Sequence, residues 1–204
     1  MKNILIVVDM QNDFIDGALG SKEALSIVPI VLDKLKSAKK DNDIIVLTMD
    51  THSSDYLTTP EGCKLPVEHC IKGTQGHALN KDIDAELTPD MIVVEKGSFA
   101  CTELPELIKP LLGCETAIEL CGLCTDICVV SNALLLKAYY PENQIIVDPA
   151  ACAGSSREGH EAALKTMRAC HIDIINQEKC AACSHGLNSV SYTHLRAHET
   201  RHDL

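Results

Sequence analysis

Cys128 is the residue in this chain best placed to do covalent chemistry. It lies in Gly122-Leu123-Cys124-Thr125-Asp126-Ile127-Cys128-Val129. The preceding run Thr116-Ala117-Ile118-Glu119-Leu120-Cys121 reads as a buried strand, and Val129 to Ala138 reads as a helix. With Thr125 as N-cap, Cys128 falls in the first helical turn. Unpaired N–H groups and the helix dipole there favour an anion, so a thiol tends toward thiolate. The same N–H groups could stabilise an oxyanion formed when the sulfur attacks a carbonyl. A buried apolar cysteine at a strand–helix junction fits the pattern equally well.

A nucleophilic thiol needs a base and an orienting charge. Asp9 closes the apolar run Asn3 to Val8, and Lys96 follows Met91 to Val94 and Glu95. In an open parallel sheet, sites form at the carboxyl ends of the strands. Asp9, Lys96 and Cys128 would all reach that edge. Each residue alone is an ordinary strand-end residue; the coincidence of carboxylate, ammonium and thiol points to a site.

A second constellation follows the run Ile44 to Met49. Asp50 and His52 alternate and can point the same way from an extended chain. Glu61 and His69 lie downstream, and two imidazoles with carboxylates suit Zn, Mn or Fe. Spacing alone also fits a solvated polar loop.

Three motifs carry a resemblance: Asp9 within Val8-Asp9-Met10-Gln11-Asn12-Asp13-Phe14, Lys96 within Glu95-Lys96-Gly97-Ser98-Phe99, and the Cys128 segment. In this order, over about residues 1–178, the chain resembles the isochorismatase-like cysteine hydrolases, a superfamily that includes nicotinamidases. The resemblance implies Cys128 as nucleophile, Asp9 as general base and Lys96 as the residue orienting the pair. It implies a cis peptide at Leu123–Cys124 and an oxyanion hole formed by the N–H groups of Cys124 and Cys128. It implies Asp50, His52 and His69 as ligands of one divalent metal ion, with Glu61 as a fourth; zinc is the first expectation, Mn or Fe the alternatives. Phe14 and Leu123 are expected against the substrate, Phe14 equally well as a core residue. The implied reaction is hydrolysis of nicotinamide to nicotinate and ammonia through a thioester. Other readings are a cysteine amidase for a ureido or carbamoyl compound, an isochorismatase, or a non-catalytic or redox-sensing domain on the same scaffold.

Six strand-like runs, near 3–8, 44–49, 91–95, 116–121, 144–148 and 171–175, alternate with helical stretches near 23–40, 103–112, 126–139 and 156–170. This alternation predicts an α/β fold: a three-layer α/β/α domain with a six-stranded, mostly parallel sheet. On the first helix Leu25, Val28, Val31, Leu32 and Leu35 share one face. The segment 50–90 lacks periodicity and carries the metal candidates.

The chain has 204 residues, enough for one domain with a substantial core, and only 3% aromatics, so that core is aliphatic. A net charge of −11 argues against nucleic acid or an anionic membrane as partner. A small-molecule amide is what the resemblance implies. No run reaches about 18 apolar residues, so no membrane span is expected. The apolar run after Lys2 is too short for a secretory signal, so the eleven cysteines read as reduced thiols of a cytoplasmic protein. Homo-oligomers are common among the relatives and are left open. From about Ser189 the texture changes. Val190 to Leu204 resembles a translated sequencing-adapter read-through, so the domain is expected over residues 1–188, with 189–204 outside it.

Overall fold

The computed structural model describes residues 2–177 and Cys180. The proposed tail at 189–204 lies outside the described residues. In chain order the elements are β1 (Ile4–Val8), α1 (Asn12–Ile15), α2 (Lys22–Asp41), β2 (Ile44–Asp50), α3 (Lys81–Asp84), β3 (Ile92–Lys96), α4 (Leu104–Ile108), β4 (Ile118–Leu123), a π-helical turn (Thr125–Val129), α5 (Val130–Tyr139), β5 (Ile145–Ala153), α6 (Arg157–Ala169) and β6 (Asp173–Ile174).

The strands form one sheet in the order β3-β2-β1-β4-β5-β6, and every pairing is parallel. The helices complete the three-layer α/β/α arrangement: α2 lies across β1, β2, β4 and β5, while α5 packs on β5 and touches α4 and α6. All five residues of β1, at the centre, are buried. Continuous apolar strands are what a parallel sheet covered on both faces requires. The core is aliphatic, with Ile6, Leu35, Leu47, Leu104, Ile108, Ile118 and Leu120 fully buried.

Local differences from the sequence reading have physical causes. On α2, Leu25 is 54% exposed, while Ala24 and Ile27 face the core. The apolar stripe is therefore rotated at the helix start, where Ser21 caps by accepting from Ala24 N at 3.0 Å. β5 runs past Pro149 to Ala153 because the ladder shifts register between Leu120 and Gly122, and proline is tolerated at such an irregularity. β4 continues through Gly122, whose φ is +116°. A Cβ there would lie 2.1 Å from the Val8 carbonyl oxygen, so only glycine lets β4 lie against the end of β1.

Candidate active site

β1, β2, β3 and β4 all end on the same side, and their ends deliver the chemistry. Asp9 follows β1 in a left-handed conformation, φ +49°, which Asp tolerates better than most residues. Asp50 and Lys96 close β2 and β3 as register partners. Cys128 sits in the π-helical turn after β4.

Lys96 is the hub. Its ammonium lies 2.7 Å from Asp9 Oδ2, 3.1 Å from Asp50 Oδ1 and 3.5 Å from Cys128 Sγ. Asp9, Asp50, Lys96 and Cys128 are all buried. Thr48 donates to the other Asp9 oxygen at 2.6 Å. Burial alone would discharge Lys96, but the carboxylates of Asp9 and Asp50 hold its pKa above the ordinary lysine value. Burial pushes the Cys128 thiol well up, the charges of Asp9 and Asp50 push it further, and Lys96 opposes them. Burial and these carboxylates thus oppose the thiolate expected from a helix N-terminus. The local geometry differs as well. Cys124, not Thr125, is the N-cap and makes no side-chain cap, and Cys128 lies in a π-helical turn rather than the first α-helical turn.

The second constellation also assembles. Asp50, His52 and His69 are buried with their ligand atoms within 4.8 Å of one another. His52 Nε2 lies 3.0 Å from Asp50 Oδ2, and His69 Nε2 lies 3.7 Å from the same oxygen. Glu61 Oε1 stands farther out, 3.7 Å from His52 Nε2 and 4.0 Å from His69 Nε2. The loops carrying the two histidines are stitched together: His52 N donates to the Cys70 carbonyl at 3.0 Å, and Lys72 N donates to the His52 carbonyl at 2.9 Å. His69 Nδ1 donates to the Val67 carbonyl at 2.8 Å, which leaves Nε2 as the lone-pair nitrogen. Among the described residues, His52 Nε2 is a buried nitrogen with no hydrogen-bond partner. Two imidazole nitrogens and a carboxylate oxygen around one point, one of them orphaned, fit a bound cation. Burial would raise the Asp50 carboxyl, yet the two imidazoles and the Lys96 charge hold it well below the usual carboxylate range.

A cavity of about 640 Å³ opens over both constellations. Phe14, Leu123, Cys124, Cys128, Asp50, Glu61 and His69 line it. Phe14 is buried, and its ring centroid lies 5.5 Å from that of His69.

Several residues of the site were not found from sequence. Gln11 accepts from Asp50 N at 2.7 Å and donates to the carbonyls of Asp50 and His77 at 2.8 Å, clamping the end of β2. Tyr56 packs tilted against His52 and edge-on to His69, with ring centroids 4.6 Å and 4.9 Å away. Asn132 ties the Cys128 carbonyl at 2.8 Å to the loop after β3 through Cys101 N at 2.8 Å and Phe99 O at 3.2 Å. In that loop Phe99 lines the cavity, while Cys101 is buried beneath it. Gln11, two residues after Asp9, and Asn132, one turn after Cys128, offered a faint signal; Tyr56 offered none.

A family model described as isochorismatase domain matches residues 3–179. The chain belongs to the isochorismatase family. It is 34% identical over 176 residues to the uncharacterized isochorismatase family protein PncA of Bacillus subtilis, covering 80% of this chain and 93% of that protein. It is 27% identical over 210 residues to the nicotinamidase of Schizosaccharomyces pombe, covering 85% of this chain and 93% of that protein. Among solved structures, the pyrazinamidase of Pyrococcus horikoshii in complex with zinc superposes with a TM-score of 0.74 at 27% identity, covering 86% of this chain and 99% of that one. This isochorismatase-family chain thus shares its sheet with proteins named for amide hydrolysis.

Proposed function

We propose that this protein is a cysteine amidase that hydrolyses nicotinamide to nicotinate and ammonia through a thioester. The observation that carries the reading is Lys96, within 3.5 Å of Asp9, Asp50 and Cys128, the last two of which line one cavity. It joins a nucleophile and base to a metal-ligating cluster that a simple cysteine hydrolase does not need. Similarity to a nicotinamidase and to a zinc-bound pyrazinamidase supports the same reading.

Asp9 takes the proton of Cys128, and the thiolate attacks the carboxamide carbon. The carbonyl π pair moves to oxygen, where the N–H groups of Cys124 and Cys128 act as donors. One such donor is worth roughly 3–4 kcal/mol in the transition state. Asp9 returns the proton to the nitrogen, the C–N bond breaks and ammonia leaves. Water deprotonated by Asp9 then attacks the thioester, the C–S bond breaks, and nicotinate and the thiol are released. Burial raises the Asp9 carboxyl, which suits it to carry the proton between these transfers, and the Lys96 charge opposes that rise. Asp50, His52 and His69, with Glu61 on the outside, would hold a divalent metal ion, zinc first and Mn or Fe as alternatives. Such an ion supplies a Lewis-acid contact for a ring nitrogen. Phe14 and Leu123 form apolar walls for the ring.

The test is ammonia release from nicotinamide by the metal-loaded protein, with Cys128→Ala as control. Turnover that vanishes in the control supports the amidase and its nucleophile together. No turnover with metal bound and Cys128 open to alkylation removes nicotinamide as the substrate.

A further inference from the structure

The π-helical turn between Cys124 and Cys128 is gripped from outside the site. Thr125 Oγ1 lies 2.8 Å from His160 Nδ1 on α6. The other ring nitrogen, Nε2, lies 3.3 Å from Cys180 Sγ. Thr125, His160 and Cys180 are all buried. Both ring nitrogens are thus engaged, and either neutral tautomer satisfies the chain: the imidazole donates to one neighbour and accepts from the other. The next residue of the turn is held from the same side, since the Asp126 carboxylate accepts from Ser155 N at 2.8 Å and from Ser155 Oγ at 2.5 Å. That approach is tight, for a Cβ on Gly159 would lie 2.1 Å from Asp126 Oδ2.

A buried hydroxyl paired with a buried imidazole gains little stability over an apolar pair of equal shape. What the polar pair provides is direction: it fixes the rotation of the turn about the axis running from Cys124 to Cys128. Those two residues carry the N–H groups assigned above to the oxyanion. We infer that His160, acting through Thr125, is a positioning residue that aims the oxyanion donors of Cys124 and Cys128. This rests on the oxyanion role given to the turn under the proposed function. Neither His160 nor Thr125 lines the cavity over Cys128, so neither need touch substrate.

Two reactions of the same thiol separate aim from integrity. Alkylation of Cys128 by iodoacetamide forms an S–C bond and expels iodide without building an oxyanion. Addition of pyridine-3-carbaldehyde forms an S–C bond while the C=O π pair moves to oxygen, which draws on the oxyanion donors and takes up the thiol proton. Thiohemiacetal formation is read by the carbon-13 shift of a labelled aldehyde carbon, and alkylation at Cys128 by mass spectrometry. The expected result is that Thr125→Val weakens aldehyde association by about 10-fold or more. Alkylation should stay within about 2-fold, and Thr125→Ser should restore the aldehyde adduct. His160→Leu should reproduce Thr125→Val, with the melting temperature of each variant recorded alongside.

Equal loss of both reactions in Thr125→Val, or loss of neither, overturns the positioning role. An intact protein that alkylates at Cys128 but forms no thiohemiacetal overturns the oxyanion assignment and this inference with it. A thiohemiacetal without ammonia release from nicotinamide removes only that substrate and leaves the positioning role standing.

Discussion

Lys96 donates to one oxygen of the Asp50 carboxylate at 3.1 Å, and the other oxygen of Asp50 lies 3.0 Å from His52 Nε2. A single carboxylate therefore joins the Asp9–Lys96–Cys128 cluster to the Asp50–His52–His69 cluster. Lys96→Met would leave Asp9 and Asp50 buried without their shared cation. Removing one partner of a buried ion pair costs about 3–5 kcal/mol. A loss of that size in urea denaturation, together with abolished ammonia release, is the expected outcome. A loss below about 1 kcal/mol would mean that the buried ammonium is not what holds these carboxylates together.

Metal binding should be visible without any activity measurement. A ligand that binds only the folded state stabilises it by about 2.7 kcal/mol when present at 100 times its dissociation constant. Zinc should raise the melting temperature of protein previously treated with EDTA, and His52→Ala and His69→Ala should each abolish that rise. Glu61→Gln should reduce it less, since Glu61 stands outside the buried trio. An unchanged zinc response in His69→Ala would remove that residue from the ligand set.

Asp9 and Lys96 were legible as strand-end residues and Cys128 as the thiol of the turn after a strand, and parallel strands carry all three to one edge. Asp50 and His52 also follow an apolar run, but as metal candidates they rested on the resemblance. What could not be read are the groups that hold them. Thr48 reaches Asp9 from a neighbouring strand, and Gln11 reaches the end of β2 from a different loop. Such contacts depend on strand order, which local pattern does not encode. The thiolate expectation left out burial and two carboxylates, which push the Cys128 thiol up. The cap expectation failed because the Thr125 hydroxyl is turned toward His160.

Stability should fall on the alkaline side. Burial pushes the thiol of Cys124 from 9.0 up to about 12, and Cys70, Cys121, Cys128 and Cys152 are raised too. In the unfolded chain these thiols release protons as pH passes 9, while the folded protein retains them. The folded state then binds more protons, so stability is fully present below that pH and decreases as pH rises. Lys34 and Lys96, also raised, act in the same direction at higher pH. Urea midpoints should be level from pH 7 to 8 and decline above about pH 9. A midpoint independent of pH up to 11 would contradict this.

Gly122→Ala should be among the most damaging single-methyl additions. It combines a left-handed φ of +116° with a clash at 2.1 Å against the Val8 carbonyl. Left-handed strain and overpacking together cost about 3–5 kcal/mol. Thermal denaturation of the variant beside Gly113→Ala, where the nearest atom would be 3.5 Å away, measures the difference. Equal melting temperatures for the two would show that β4 can move away from β1.

β3 is the outermost strand of its side of the sheet, joined only to β2, and its last residue is Lys96. Edge strands detach at lower free energy than central ones. When β3 lifts away, the central cation of the site leaves with it, while the remaining five strands can stay paired. A molecule with β3 lifted away would keep most of its sheet but lack Lys96 beside Asp9 and Cys128. Mild denaturant should silence it before its sheet is lost, and backbone amide exchange along Ile92–Lys96 should report how often each molecule is switched off.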